Sequence, residues 1–201
     1  KRLPHMPMVL TPLTELEAVN EILRNDGEAP VASLDESGFS EAADAYSKLT
    51  HATRQHQSKG WAYNTDYERK FTPDVSNEII LPSNTLWINP TYASQSLSII
   101  ERGRKLYDLK NNTYEFNAPV YLDICQMLQF TEMPTAMRDY VTIVAARKYQ
   151  AQSTGSGAQD AFTQEDEWGA RDVMQQADSR ARPRGFQRTR QGQRFNIRRP
   201  M

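Results

Sequence analysis

One cysteine, three histidines and no apolar run longer than a few residues occur in this 201-residue chain, and each scarcity removes a class of function. With Cys125 alone, no disulfide can close within the chain and no cysteine-based zinc site can form, which is compatible with a reducing compartment. His51 and His56 are five residues apart, about 140° around a helix, so they cannot share a metal as an i,i+4 pair can. The longest apolar runs, such as Ile79 to Leu81, fall far short of the roughly 20 residues a membrane-spanning helix needs. Pro4 and Pro7 interrupt the basic start before a secretory signal of normal length can develop, and Lys1 in place of an initiator methionine leaves the start open to trimming. The expectation is a soluble, non-secreted chain without membrane partner: one compact domain, or one domain with a smaller inserted lobe.

Catalytic signatures are equally scarce. There is no Walker phosphate loop and no Gly-x-Ser-x-Gly elbow, and Gly155-Ser156-Gly157 lacks both the third glycine and the preceding strand of a dinucleotide site, so it reads as linker. Cys125 falls in a strand-like segment, where a buried inert thiol is expected rather than a nucleophile. Glu15 with Glu17, Asp35 with Glu36, and Glu165-Asp166-Glu167 could each supply paired carboxylates for glycoside hydrolysis. With 25 acids in the chain such pairs are inevitable, and solvated helix faces account for them. The sequon Asn111-Asn112-Thr113 carries little meaning without a secretory route. No cofactor, no metal and no catalytic residue is expected.

What the chain does have is charge asymmetry. The formal net charge is −1, yet Arg180, Arg182, Arg184, Arg188, Arg190, Arg194, Arg198 and Arg199 follow the last acid, Asp178. Of the 24 basic residues, 16 remain to face all 25 acids in residues 1–179, a surplus of nine negative charges. Beyond Pro183 the arginine, glutamine and glycine composition cannot bury enough apolar area to offset ordering entropy, so a flexible tail is expected. Arginine forks pair carboxylates and phosphates alike. Docking on an acidic protein surface, stacking of Phe186 and Phe195 on nucleic-acid bases, and passive solubilisation all fit.

Helical grammar opens at Thr14, where Thr14 and Glu17 have capping-box spacing and Leu16, Val19, Ile22 and Leu23 share a face. This first helix should span residues 15–25, stopped by Gly27 and Pro30. Ala42, Ala45, Tyr46, Leu49, Ala52, Thr53 and His56 form the stripe of a second helix, capped at Ser40 and stopped at Gly60, with His51 in solvent. From Trp61 to Tyr67 the period changes to two, and apolar runs follow at Glu78 to Leu81, Leu86 to Ile88, Leu97 to Ile100, Leu106 to Leu109 and Val120 to Met127, read as antiparallel strands and hairpins. Pro134 fits the first turn of a third helix reaching about Tyr149, with Met137, Tyr140, Val141, Val144 and Ala145 on one side. Residues 152–159 read as a loop, and a fourth helix should run from about Asp160 to Ala181 on Phe162, Val173, Met174 and Ala177. The fold expected is α+β: a bundle of about four helices with a β-rich insertion between the second and third. The segments are a 1–13 extension, a 14–60 first bundle half, a 61–130 β-rich insertion, a 131–181 second half and a 182–201 Arg-rich tail.

Glu15-Leu16-Glu17-Ala18-Val19-Asn20-Glu21-Ile22-Leu23, followed by Gly27-Glu28-Ala29-Pro30-Val31, resembles the opening of the tail tubular protein A family of short-tailed bacteriophages. Gln57-Ser58-Lys59-Gly60-Trp61, Pro73-Asp74 and Glu132-Met133-Pro134 match further landmarks in order, so the likeness covers about residues 14–150. Residues 180–201 depart from it. The resemblance implies a structural virion protein, assembled in the host bacterial cytoplasm: a homo-oligomeric adaptor ring of about twelve copies. The portal protein would lie above and the tail nozzle, tail tubular protein B, below, with genomic DNA passing through the channel without specific binding. Gly27, Gly60, Trp61 and Pro134 are the structural positions, and Arg182, Arg184, Arg188, Arg190, Arg194, Arg198 and Arg199 the assembly-interface candidates. A tail-associated polysaccharide hydrolase and a nucleic-acid-binding module using the Arg-rich tail are the competing classes.

Overall fold

The computed structural model describes residues 12–34, 40–94, 96–153 and 164–182. In chain order they form α1 (Glu15–Asn25), α2 (Ser40–Gln57), β1 (Thr65–Phe71), β2 (Thr85–Pro90), β3 (Ile99–Arg102), β4 (Lys105–Asp108), β5 (Val120–Gln126), α3 (Thr135–Ser153) and α4 (Gln164–Ala181). The fold is α+β, with the β-rich insertion between the second and third helices. The described residues fall into two compact units, one drawn from Lys1–Thr53 and Gln129–Arg171, the other from Arg54–Leu128 and Asp172–Met201.

In the helical unit, α1 begins with the capping box its sequence announces: Glu17 N–H donates to Thr14 Oγ1 at 3.3 Å, and Thr14 N–H donates to Glu17 Oε2 at 2.8 Å. It ends in a Schellman arrangement, Glu28 N–H reaching Leu23 O at 2.9 Å and Gly27 N–H reaching Arg24 O at 3.1 Å, with Gly27 at φ +83°. Ala18, Val19, Ile22 and Leu23 are buried, and α1 packs on α3. Asn20 fixes the following chain by exchanging two hydrogen bonds with the Val31 main chain, and Arg138 of α3 donates to Leu13 O at 2.8 Å.

The β unit holds a three-stranded antiparallel sheet in the order β1-β5-β2 and a β3-β4 hairpin. Phe71, Ile79, Leu81, Ile99, Leu106, Phe116, Val120, Leu122 and Ile124 form its core. The β1 edge is blunted by Asp66, Glu68, Arg69 and Lys70, all exposed, and by a bulge where Glu68 takes φ +54° and donates its N–H to the buried Asp123 carboxylate at 3.0 Å.

Several expectations need correction. Trp61 to Asn64 is a 3-10 turn rather than the start of a strand, because Asn64 Oδ1 takes the Trp61 N–H at 2.8 Å and folds the segment back, so β1 starts only at Thr65. Glu78 to Leu81 makes isolated bridges, Glu78 with Glu115 and Ile80 with Lys105, instead of a full strand, since the turn held by Asp74 and Asn77 delivers it beside β4 for only a short length. Tyr46 is 40% exposed: it lies about 70° from the centre of the alanine stripe at 100° per residue, and the small alanines draw the burial away from it. Val173 is exposed on α4, whose buried positions are Met174 and Asp178, and α3 runs on to Ser153. Pro134 immediately precedes α3, its carbonyl accepting from Met137 and Arg138 N–H. The loop expected in 152–159 and Phe162 lie, apart from the end of α3, outside the described residues.

Two glycines separate conformational from steric need. A Cβ on Gly27 would meet nothing within 4 Å, so Gly27→Ala should cost only the left-handed backbone penalty, about 1 kcal/mol. At Gly60, φ +73°, a Cβ would sit 2.4 Å from the Trp87 ring. Gly60→Ala should therefore lower the melting temperature clearly more than Gly27→Ala; equal shifts in thermal denaturation would contradict this assignment.

Candidate functional site

A network of buried polar groups forms where α2 ends. Gln57 has no solvent exposure, and its side chain donates to Leu128 O at 2.9 Å while accepting from Leu128 N–H at 2.8 Å. Asn64 Nδ2 lies 3.0 Å from both Gln57 O and Gln126 O, and 3.3 Å from Cys125 Sγ. Trp61 Nε1 donates to His56 O at 2.8 Å, the His56 and Trp61 rings stacking with centroids 4.8 Å apart. Trp87 Nε1 donates to Ser58 O at 3.0 Å, which lays its ring over Gly60. Gly60 and Trp61 are thus brought together, and both are corner pieces. Gly27 and Pro134 mark the end of α1 and the approach to α3. Gln57 stands out only as the first residue of the Gln57–Trp61 landmark and Asn64 not at all, because polar residues disappear from an apolar-periodicity search.

Asp178 provides a second tie. Its Oδ1 accepts from Ala62 N–H at 2.7 Å and its Oδ2 from Arg182 Nε at 2.8 Å, with Asp178 side-chain exposure at 1%. Arg182 is therefore engaged by its own chain. Arg184, Arg188, Arg190, Arg194, Arg198 and Arg199 lie outside the described residues.

The chemistry available here is structural. Burial pushes the Cys125 thiol up to about 11, overcoming the hydrogen bond from the Asn64 amide, so almost no thiolate exists near neutral pH. Burial first, and the Lys59 charge second, push His56 down to about 3, holding the imidazole neutral; His51 is exposed. Among the described residues no group of three or more His, Cys, Asp or Glu is placed to hold a metal, and no helix is long and apolar enough to cross a membrane. Of the paired acids, Glu17 serves the α1 cap and Glu167 pairs with Arg147, while Asp35 and Glu36 lie outside the described residues. An open concavity of about 430 Å³ along α4 is lined by Asp172, Gln175, Gln176, Ser179 and Arg180; the Ser179 hydroxyl donates to Gln175 O at 2.8 Å, and no histidine or cysteine lines the concavity beside it.

The family model described as tail tubular protein matches residues 16–184. The chain belongs to the tail tubular protein family. Tail tubular protein A of Klebsiella phage KP34 is 32% identical over 122 residues, which span 61% of this chain and 63% of that relative. The match therefore covers less than two thirds of the relative's length. Membership makes this a phage tail structural protein.

Two measurements check this reading. Unfolded histidine binds its proton near pH 6.5 and folded His56 only near 3, so its contribution is complete above about pH 6.5 and is lost as pH falls toward 3. His56→Phe keeps a ring against Trp61 and should flatten the fall in melting temperature between about pH 6.5 and 4; parallel wild-type and variant curves would refute it. Native Cys125 should alkylate with iodoacetamide orders of magnitude more slowly than the unfolded chain, and rapid native labelling would show the thiol to be accessible.

Proposed function

We propose that this tail tubular protein is a ring-forming adaptor, about twelve copies of which join the portal to the tail nozzle of a short-tailed phage and conduct DNA through a central channel. The work is assembly rather than catalysis, completed in the host cytoplasm and carried into the virion. Portal protein above and tail tubular protein B below are the proposed partners.

The observation that carries the reading is the separation of charge along the chain: eight arginines after Asp178, against a surplus of nine acids before residue 180. A cyclic assembly needs two different complementary patches on each subunit, and opposite charge supplies such a pair. The same acidic surplus, repeated around a ring, repels phosphate and favours passage of a duplex over binding. Arg184 to Arg199 act as an assembly arm that docks on acidic surface of a neighbouring subunit or ring through several bidentate carboxylate contacts. Asp178 anchors the root of that arm through Arg182.

A chain ending at Arg182 keeps the Asp178 pair and should melt at the wild-type temperature. It should also form rings or bind portal protein less well, and raised salt should mimic the deletion in the intact chain. Native mass spectrometry decides: equal assembly of both forms across salt concentrations would remove the arm from the mechanism. The truncated chain should show no measurable duplex binding at physiological salt, and tight, salt-sensitive binding would overturn the conducting role.

A further inference from the structure

The β3-β4 hairpin carries a basic tip that the adaptor reading does not use. Arg102 pairs with Lys105 across a two-residue turn, Gly103 and Arg104 both taking positive φ, +59° and +64°, as a type I′ turn demands. Arginine at the second of these positions holds a conformation that glycine or asparagine adopts with less strain. Glu101, Arg102, Gly103 and Arg104 are all exposed.

The cations at this tip are not equivalent. Lys105 is committed to Glu78 at 2.5 Å. Arg102 and Arg104 make no ion pair among the described residues. The Arg102 guanidinium lies over the Tyr107 ring, 3.8 Å from its centroid, and Tyr107 packs edge-on against Tyr114 with centroids 4.8 Å apart. The Arg102 fork is therefore held in place before any partner arrives, so docking it loses less rotamer freedom than docking a free arginine.

From this tip we infer a docking point for carboxylates on a second copy of this chain, Arg102 presenting a preorganised fork and Arg104 a neighbouring charge. Charge complementarity selects the occupant. Carboxylates outnumber cations by nine in residues 1–179 of an adjoining copy, so that part of it offers acceptors for the tip. Duplex DNA is the weaker fit: two cations release counterions from only about two phosphates, and Glu101 beside them repels a continuous phosphate backbone. One or two bidentate carboxylate contacts match what the tip offers. The inference rests on the ring reading and adds a second contact to it, independent of the Arg-rich tail.

The test uses the full-length chain, followed by native mass spectrometry and light scattering at low and high salt, with melting temperature measured in parallel. Arg102→Ala/Arg104→Ala should leave the melting temperature unchanged, because the tip is exposed, while weakening self-association by roughly tenfold or more. Arg102→Lys/Arg104→Lys, which keeps charge but not the fork, should fall between the two. Self-association equal to wild type in the alanine variant would overturn the tip contact and leave the ring reading standing. A wild-type chain that stays monomeric at every salt concentration would overturn both. Normal self-association combined with loss of binding to a fluorescent DNA duplex would reassign the tip to phosphate and also overturn the proposal.

Discussion

Gln57 closes the last turn of α2 with no exposure to solvent, so its amide must find partners inside the protein, and it finds both on the Leu128 main chain. Leaving either side of such a pair unsatisfied costs on the order of 1–3 kcal/mol, so the exit of β5 is pinned to the end of α2 by necessity rather than by preference. Asn64 spans what remains of the corner, its amide donating to Gln57 O and Gln126 O, which confines the main chain between Gln57 and Asn64. The left-handed Gly60, the His56–Trp61 stack and the Trp87 ring over Gly60 follow from this confinement.

The same logic gives physical content to the Gln57-Ser58-Lys59-Gly60-Trp61 landmark. Its outer residues hold main chain and its glycine admits an aromatic ring, while Ser58 and Lys59 between them face solvent. Cys125 and His56, the two side chains in the neighbourhood most able to do chemistry, are both driven toward their neutral forms by burial. A protein whose task is to occupy a fixed place in an assembly is served by such rigidity.

Charge is organised at the opposite extreme of burial. The β1 edge is lined with exposed charges and bulged, which discourages unplanned strand pairing. The β3-β4 tip offers two arginines in the open, one of them stacked in advance. Buried charge has other work: Asp178 holds Ala62 and Arg182 together, and Asp123 takes the Glu68 N–H at the β1 bulge. These buried carboxylates are spent on the chain's own main chain and ion pairs.

Local rules reach as far as local causes do. The limits of α1, its capping box and its glycine stop could be read directly, since every partner involved lies within a few residues. The helix-strand-helix order and the alanine stripe of α2 were legible for the same reason, periodicity being a property of neighbouring residues. What the sequence by itself could not determine are contacts between distant positions: Gln57 with Leu128, Ala62 with Asp178, Arg102 with Tyr107. Asn64 and Asp178 look like ordinary surface residues until the fold buries them beside main-chain donors. Trp61 to Asn64 alternates like a strand, yet becomes a turn because one side-chain oxygen captures an amide three residues back. Only the tertiary structure could decide these, because a buried polar group is stable solely where a distant part of the chain supplies its hydrogen-bond partner.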